Sequence, residues 1–258
     1  MLIVCCGMPR SGSTLQYQIA CELVERAGLG VRPGVWPTPI TPGMWGGSRP
    51  VHVAKVHDPD PRLDNAGGYD PRFTRFVYAY RDVRDAIASH LQKITDAGEP
   101  GIPADELGAV VRARMLEPWA YFTLMQGTLV SRYETMIGDV AGEVRRIADH
   151  CEIETDDETI QSIADGLDLS AQRRYIASRS WGSDEAWDAR TLLHRNHVRD
   201  GRIGKFREVL SPAQLRAVER VAGGWLRERG YDVHAGAPGG GPTAEGDPAR
   251  PGHHPDTA

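Results

Sequence analysis

Leu2-Ile3-Val4-Cys5-Cys6-Gly7-Met8-Pro9-Arg10-Ser11-Gly12-Ser13-Thr14 begins as an apolar run and passes directly into a loop of glycine, proline and hydroxyl residues. The apolar run reads as a buried strand, and beyond the loop Leu15, Ile19, Leu23, Val24 and Ala27 recur at helical spacing. A strand, a glycine-bearing loop and a helix N-terminus in that order make an anion cradle, because backbone N–H groups and the helix dipole meet there. The loop departs from the pattern G-x-x-x-x-G-K-[ST] at Ser13, which stands where the lysine for a triphosphate would be. Arg10 and hydroxyls without that lysine suit one phosphate with an appended group better than a magnesium triphosphate.

Working outward, short apolar runs alternate with amphipathic helical stretches. Val51 to Val56, Phe73 to Tyr80 and Thr128 to Tyr133 read as further strands. Helical stripes follow at Val83, Ala86, Ile87, Leu91 and Ile94, and at Ile137, Val140, Val144 and Ile147. Further helices are expected over Ala104 to Met125, over Glu158 to Leu167, and from Ser211 to Gly230, where Pro212 and Gln214 complete a capping box. This alternation predicts an α/β fold, a parallel β-sheet flanked by helices in a three-layer sandwich of the P-loop nucleotide-binding type. One domain is expected over residues 1–234, and residues 235–258, rich in Gly and Pro with no apolar period, read as a disordered tail.

The 258 residues carry 40% hydrophobic and 25% charged side chains, which excludes collagen, coiled-coil and wholly disordered classes. A net charge of -5 and a pI near 6.0 argue against a nucleic-acid partner. No stretch approaches the roughly 20 apolar residues of a membrane span, and no basic segment precedes Leu2 as in a signal peptide, so a cytoplasmic protein without membrane partners is expected. Cys5, Cys6, Cys21 and Cys151 lack metal-ligand spacing and read as reduced core residues; no metal site is expected.

Polar motifs end the other strands: Lys55-Val56-His57 after the second, Arg81 after the third and Tyr133-Glu134 after the fourth. In an open parallel sheet these ends line one crevice, so separately encoded motifs converge on one site. Lys55 and His57 alternate and point to one side, pairing a cation with a candidate base. Ser89, eight residues after Arg81, lies off the apolar stripe of its helix and reads as a crevice residue. The bland reading of Asp82, Arg84, Asp85 and Arg81 is an exposed charged helix start. The loop Arg199-Asp200-Gly201-Arg202-Ile203-Gly204-Lys205 reads alone as a solvated turn.

Together these residues resemble the nucleotide-dependent cytosolic sulfotransferase family, whose donor is 3′-phosphoadenosine 5′-phosphosulfate (PAPS) and whose product nucleotide is 3′-phosphoadenosine 5′-phosphate (PAP). Pro9 to Thr14 resembles the family's P-K-S-G-T-T loop, with Arg10 in the lysine position. Lys55-Val56-His57 resembles K-T-H, and Arg81 to Ser89 resembles R-N-P-K-D-V-A-V-S. Tyr133-Glu134 is similar to Y-E-D, and Arg199 with Gly201 and Gly204 to R-K-G-x-x-G. The resemblance implies that His57 and Lys55 are catalytic. It implies that Arg10, Ser11, Gly12, Ser13, Thr14, Arg81, Ser89, Tyr133, Arg199 and Gly201 hold the nucleotide, without a metal. Leu15 replaces a tryptophan of the pattern and Asp200 a lysine.

The implied reaction is sulfuryl transfer to a hydroxyl or amine of a small-molecule acceptor: an apolar alcohol, a phenol or a secondary metabolite. Pro33 to Gly47, with Trp36, Met44 and Trp45, and the stretch around Trp181 and Trp187 read as acceptor lids or as core. A small-molecule kinase and a non-catalytic nucleotide-binding module are the rival readings. The first lacks its loop lysine, and the second would be expected to have lost Lys55 and His57. Self-association stays open, with no clear dimer motif in the sequence.

Overall fold

The computed structural model describes residues 1–30, 50–59, 70–183 and 186–233. Four parallel strands form one sheet in the order β2-β1-β3-β4: β1 (Leu2–Gly7), β2 (His52–Lys55), β3 (Thr74–Tyr80) and β4 (Leu129–Arg132). The expected parallel sheet is therefore present. β2, β3 and β4 are slightly shorter than the apolar runs that predict them, and β1 runs one residue past its apolar run, to Gly7.

Every residue of β1 is buried, and its side chains alternate between two cores. Leu2, Val4 and Cys6 join one core with α2 (Val83–Asp96), α3 (Ala104–Val111), α4 (Glu117–Thr123) and α10 (Pro212–Glu228). Ile3 and Cys5 join the other with α1 (Ser13–Arg26), α6 (Val140–His150) and α7 (Asp157–Leu167). All four cysteines are buried and none forms a disulfide. The capping box at Ser211 and Gln214 is present, with Pro212 in the first turn of α10. Three short helices complete the order: α5 (Tyr133–Met136), α8 (Leu169–Ser178) and α9 (Phe206–Val209). Among the described residues, no helix is long and apolar enough to cross a membrane.

Two expectations need correction. The predicted helix Ala104 to Met125 is interrupted by a π-helical turn, Arg112–Leu116, in which the Glu117 N–H bonds to the Arg112 carbonyl five residues back. Pro118 is the physical reason: it has no N–H for the Arg114 carbonyl and its ring crowds that group, so the helix widens just before it. The charged start of α2 is not solvated either, since Arg81, Asp82, Arg84 and Asp85 are all buried. Arg84 pairs with Asp82 at 2.8 Å and Glu219 at 2.9 Å and lies over the Phe206 ring, tying α2 to α10 and α9. The predicted tail and the Pro33 to Gly47 segment lie outside the described residues.

In chain order the sheet runs first to one side of β1 and then to the other. The β1/β3 boundary is thus the point where connections leave in opposite directions, and the crevice at the carboxyl ends opens there.

Candidate active site

Gly7 ends β1, and the loop that follows turns on Gly12, whose φ of 86° lies in the left-handed region. A Cβ there would meet Met136 Cε at 2.5 Å and Tyr133 Cδ2 at 3.0 Å, so the loop packs against α5 only because position 12 is glycine. Gly12→Ala is expected to destabilise the protein by about 1–2 kcal/mol. A denaturant midpoint unchanged in that variant would contradict this.

Arg10 also adopts a left-handed backbone, φ 67°, and this aims its side chain across the crevice. Its Nε donates to Ser89 Oγ at 3.0 Å and its Nη2 to the His197 carbonyl at 3.1 Å. Ser11 departs from the expected role. Its N–H and Oγ bond to the Met8 carbonyl, the Oγ also lies 2.9 Å from the Ala79 carbonyl, and the residue is fully buried. Ser11 holds the loop to β3 and lines no cavity, whereas Gly12, Ser13 and Thr14 do.

One cavity of about 610 Å³ lies at this edge, lined by Arg10, Lys55, His57, Arg81, Ser89, Tyr133, Arg199 and Gly201. The predicted convergence of four strand ends and the distant glycine loop is realised.

His57 follows β2 directly. Its Nδ1 is 2.9 Å from the Gly7 carbonyl, which can only accept, so Nδ1 carries the proton and Nε2 presents the lone pair. Lys55 Nζ is 2.8 Å from that Nε2. Burial, and then the charge on Lys55, push the imidazole down to about 3, which keeps Nε2 unprotonated at neutral pH. Burial also pulls the Lys55 ammonium down to about 7, with Arg10 adding to the effect. The Arg10 guanidinium is held at about 10 by burial and by Arg199 and Arg81.

Arg81 lies over the Tyr133 ring at 4.3 Å, donates to the Arg202 carbonyl at 2.8 Å and approaches Asp85 at 3.4 Å. Asp85 in turn accepts the Gly204 N–H at 2.7 Å and the Phe206 N–H at 2.9 Å, which fixes the 199–206 loop beside the arginines. Tyr133 ends no strand; it opens α5, and its hydroxyl reaches the Gly201 carbonyl at 3.4 Å. Arg199 bonds to Asp96 and the Gln92 carbonyl on α2. The Nε atoms of Arg81 and Arg199 are buried and have no hydrogen-bond partner among the described residues. Asp200 turns to Lys205 at 2.7 Å and to Arg202. Burial raises its carboxyl, but the hydrogen bonds from Lys205 and the Arg202 N–H prevail and hold it at about 2.

Several lining residues escape a sequence reading: His90, Lys93, Arg114, His194 and His197. Lys93 was accessible in principle, one helical turn beyond Ser89. The others reach the cavity through tertiary structure alone. His194 and His197 lie edge to face at 4.7 Å, and burial with Arg10 and Lys93 nearby lowers both, His194 to about 4. Trp187 lines the cavity, whereas Trp181 does not and donates to the Ile176 carbonyl.

A 2-1-3-4 parallel sheet with a glycine-bearing loop after β1 and a cationic cavity at the strand ends defines the P-loop type of α/β fold. Within that class, residues 72–230, more than half of the 258, match the sulfotransferase domain, and the chain belongs to this family of group-transfer enzymes. The mouse sulfotransferase SULT7A1, solved in complex with PAP, is similar in fold, with a TM-score of 0.58 and 16% identity over 88% of this chain and 83% of that one. Retinol dehydratase, solved with retinol and PAP, aligns with a TM-score of 0.53 and 15% identity over 90% of this chain and 82% of that one. No curated protein sequence gives a significant match.

Proposed function

We propose that the protein transfers a sulfuryl group from PAPS to a hydroxyl of a small-molecule acceptor, with His57 as general base. The observation that carries this reading is the meeting of Lys55 and His57 with Arg10, Arg81 and Arg199 in one cavity of a sulfotransferase-family chain. PAPS bears anionic groups at two ends of one ribose, and the cavity has two cationic places for them. Arg81, Arg199 and Ser89 would take the 3′-phosphate, where the two buried Nε donors lack acceptors among the described residues. The loop from Arg10 to Thr14 and Lys55 would take the 5′-phosphosulfate. Arg10, already bonded to Ser89, would link the two places. Both structural relatives are PAP complexes, which supports the same nucleotide here.

In the reaction, the acceptor oxygen forms a bond to sulfur as the bond from sulfur to the bridging oxygen breaks, releasing PAP. His57 Nε2 takes the hydroxyl proton. Before donor binding that nitrogen is within hydrogen-bond distance of Lys55 Nζ, so drawing Lys55 toward the bridging oxygen both stabilises the leaving charge and exposes the base. Four buried cysteines, none of them in a disulfide, support a reducing compartment, the cytoplasm.

Lys55 gives the binding step a pH signature. Its pKa is depressed to about 7 in the free protein, and a bound phosphate would return it upward. Between those two values binding takes up a proton, so PAP affinity falls as pH rises above 7. Calorimetry near pH 8 in buffers of different ionisation enthalpy is expected to show uptake of about one proton, abolished in Lys55→Met. Equal uptake in both proteins would contradict this assignment.

Transfer itself is tested with sulfur-labelled PAPS, EDTA and a panel of phenols and alcohols. Labelled sulfate ester is expected. No labelled ester here, together with phosphoryl transfer from γ-phosphate-labelled ATP in a parallel assay with magnesium and no EDTA, would overturn the reading.

A further inference from the structure

The cavity extends past His57 to a wall formed by the later turns of α2 and by the π-helical turn. His90, Lys93, Val110, Arg114 and Met115 line it. Lys93 stands one helical turn beyond Ser89 and so presents on the same face of α2. Arg114 and Met115 belong to the widened turn that precedes Pro118, which brings a cation and an apolar side chain together into the cavity.

These cations have little compensation among the described residues. Arg114 faces Asp58 at 3.4 Å, with both side chains more than half exposed, a pairing that contributes little. Lys93 makes no ion pair among the described residues. Both are close enough to His57 and His90 to lower the two imidazoles, although burial is the larger cause in each. Glu99 is the acidic group that acts on Lys93 and His90 from the same region. The donor's anionic groups are already answered at the other end by Arg10, Lys55, Arg81 and Arg199. A neutral acceptor would therefore leave the charges of Lys93 and Arg114 beside the base without an anionic partner on the acceptor.

We propose that the acceptor is a hydroxylated carboxylic acid, its hydroxyl at His57 and its carboxylate held by Lys93 and Arg114. This inference rests on the sulfotransfer reading and narrows its acceptor from an apolar alcohol to a singly anionic one. Val110 and Met115 supply the apolar surface for a short aromatic or aliphatic spacer between the two polar ends. A carboxylate at this wall accepts charge-assisted hydrogen bonds that its ester cannot match.

The test uses protein saturated with PAP in metal-free buffer. It is titrated calorimetrically with 4-hydroxyphenylacetate and 3-(4-hydroxyphenyl)propionate, and with the methyl ester of each. At least one acid is expected to bind about tenfold more tightly than its ester, as one charge-assisted contact implies. In the Lys93→Met/Arg114→Gln double variant this preference should vanish while PAP affinity is retained. Esters that bind as well as acids, an acid preference that survives the double variant, or no binding of either class to the PAP complex would each overturn the proposal. Wild-type protein that fails to bind PAP would instead overturn the sulfotransfer reading on which it stands.

Discussion

His57→Ala is expected to lower turnover about 10²–10⁴-fold, the usual contribution of a positioned general base, with PAP affinity nearly unchanged. The two effects separate because the ring does its work through one atom. Nδ1 is committed to the Gly7 carbonyl, and this fixes both the tautomer and the direction of Nε2. Alanine removes the base and leaves a carbonyl at the rim of the cavity, where water can satisfy it. The arginines and the loop are untouched, so the nucleotide should bind as before. Rapid-quench measurement of labelled ester, beside a PAP titration that reports folding, checks both halves. Undiminished turnover in folded protein would remove His57 from the mechanism.

Arg81→Ala is expected to weaken PAP binding about 10–100-fold, since hydrogen bonds to a charged group contribute about 1.5–3 kcal/mol. Adenosine 5′-monophosphate, which lacks the 3′-phosphate, should lose little. The loop around Gly201 should survive the change. Asp85 keeps its hydrogen bonds from the Gly204 and Phe206 N–H groups and is not left as an unsatisfied buried carboxylate. What is lost is the guanidinium over Tyr133, with its bond to the Arg202 carbonyl, its approach to Asp85 and its buried Nε. Equal weakening for both nucleotides in a titration of the variant would show that Arg81 does not read the 3′ position.

The sheet was legible because its information is local. Leu2 to Cys6 is a continuous apolar run, as a strand buried on both faces requires, and the loop and helix after it carry their own glycine and a helical apolar stripe. The convergence of Lys55, His57, Arg81 and Tyr133 was legible for the same reason, since parallel strands bring their carboxyl ends to one edge. Ser11 cannot be told from its neighbours in the loop by sequence, yet its hydroxyl turns back to the Met8 and Ala79 carbonyls. The burial of Arg84 and Asp82 depends on Glu219, more than a hundred residues away, and no local pattern announces that pairing. Arg114 and Met115 were hidden by a helical stretch that looks regular until Pro118 forces the turn before it to widen. Asp200, which stands where the resembling motif carries a lysine, finds Lys205 five residues on and leaves the arginines their charge.

The sulfotransfer reading stands or falls first on its nucleotide. The decisive measurement is calorimetric titration of the protein with PAP in buffer containing EDTA, beside ATP with magnesium. Saturable one-to-one binding of PAP without metal, much tighter than that of ATP, is the predicted result. Binding of ATP with magnesium and none of PAP would contradict it.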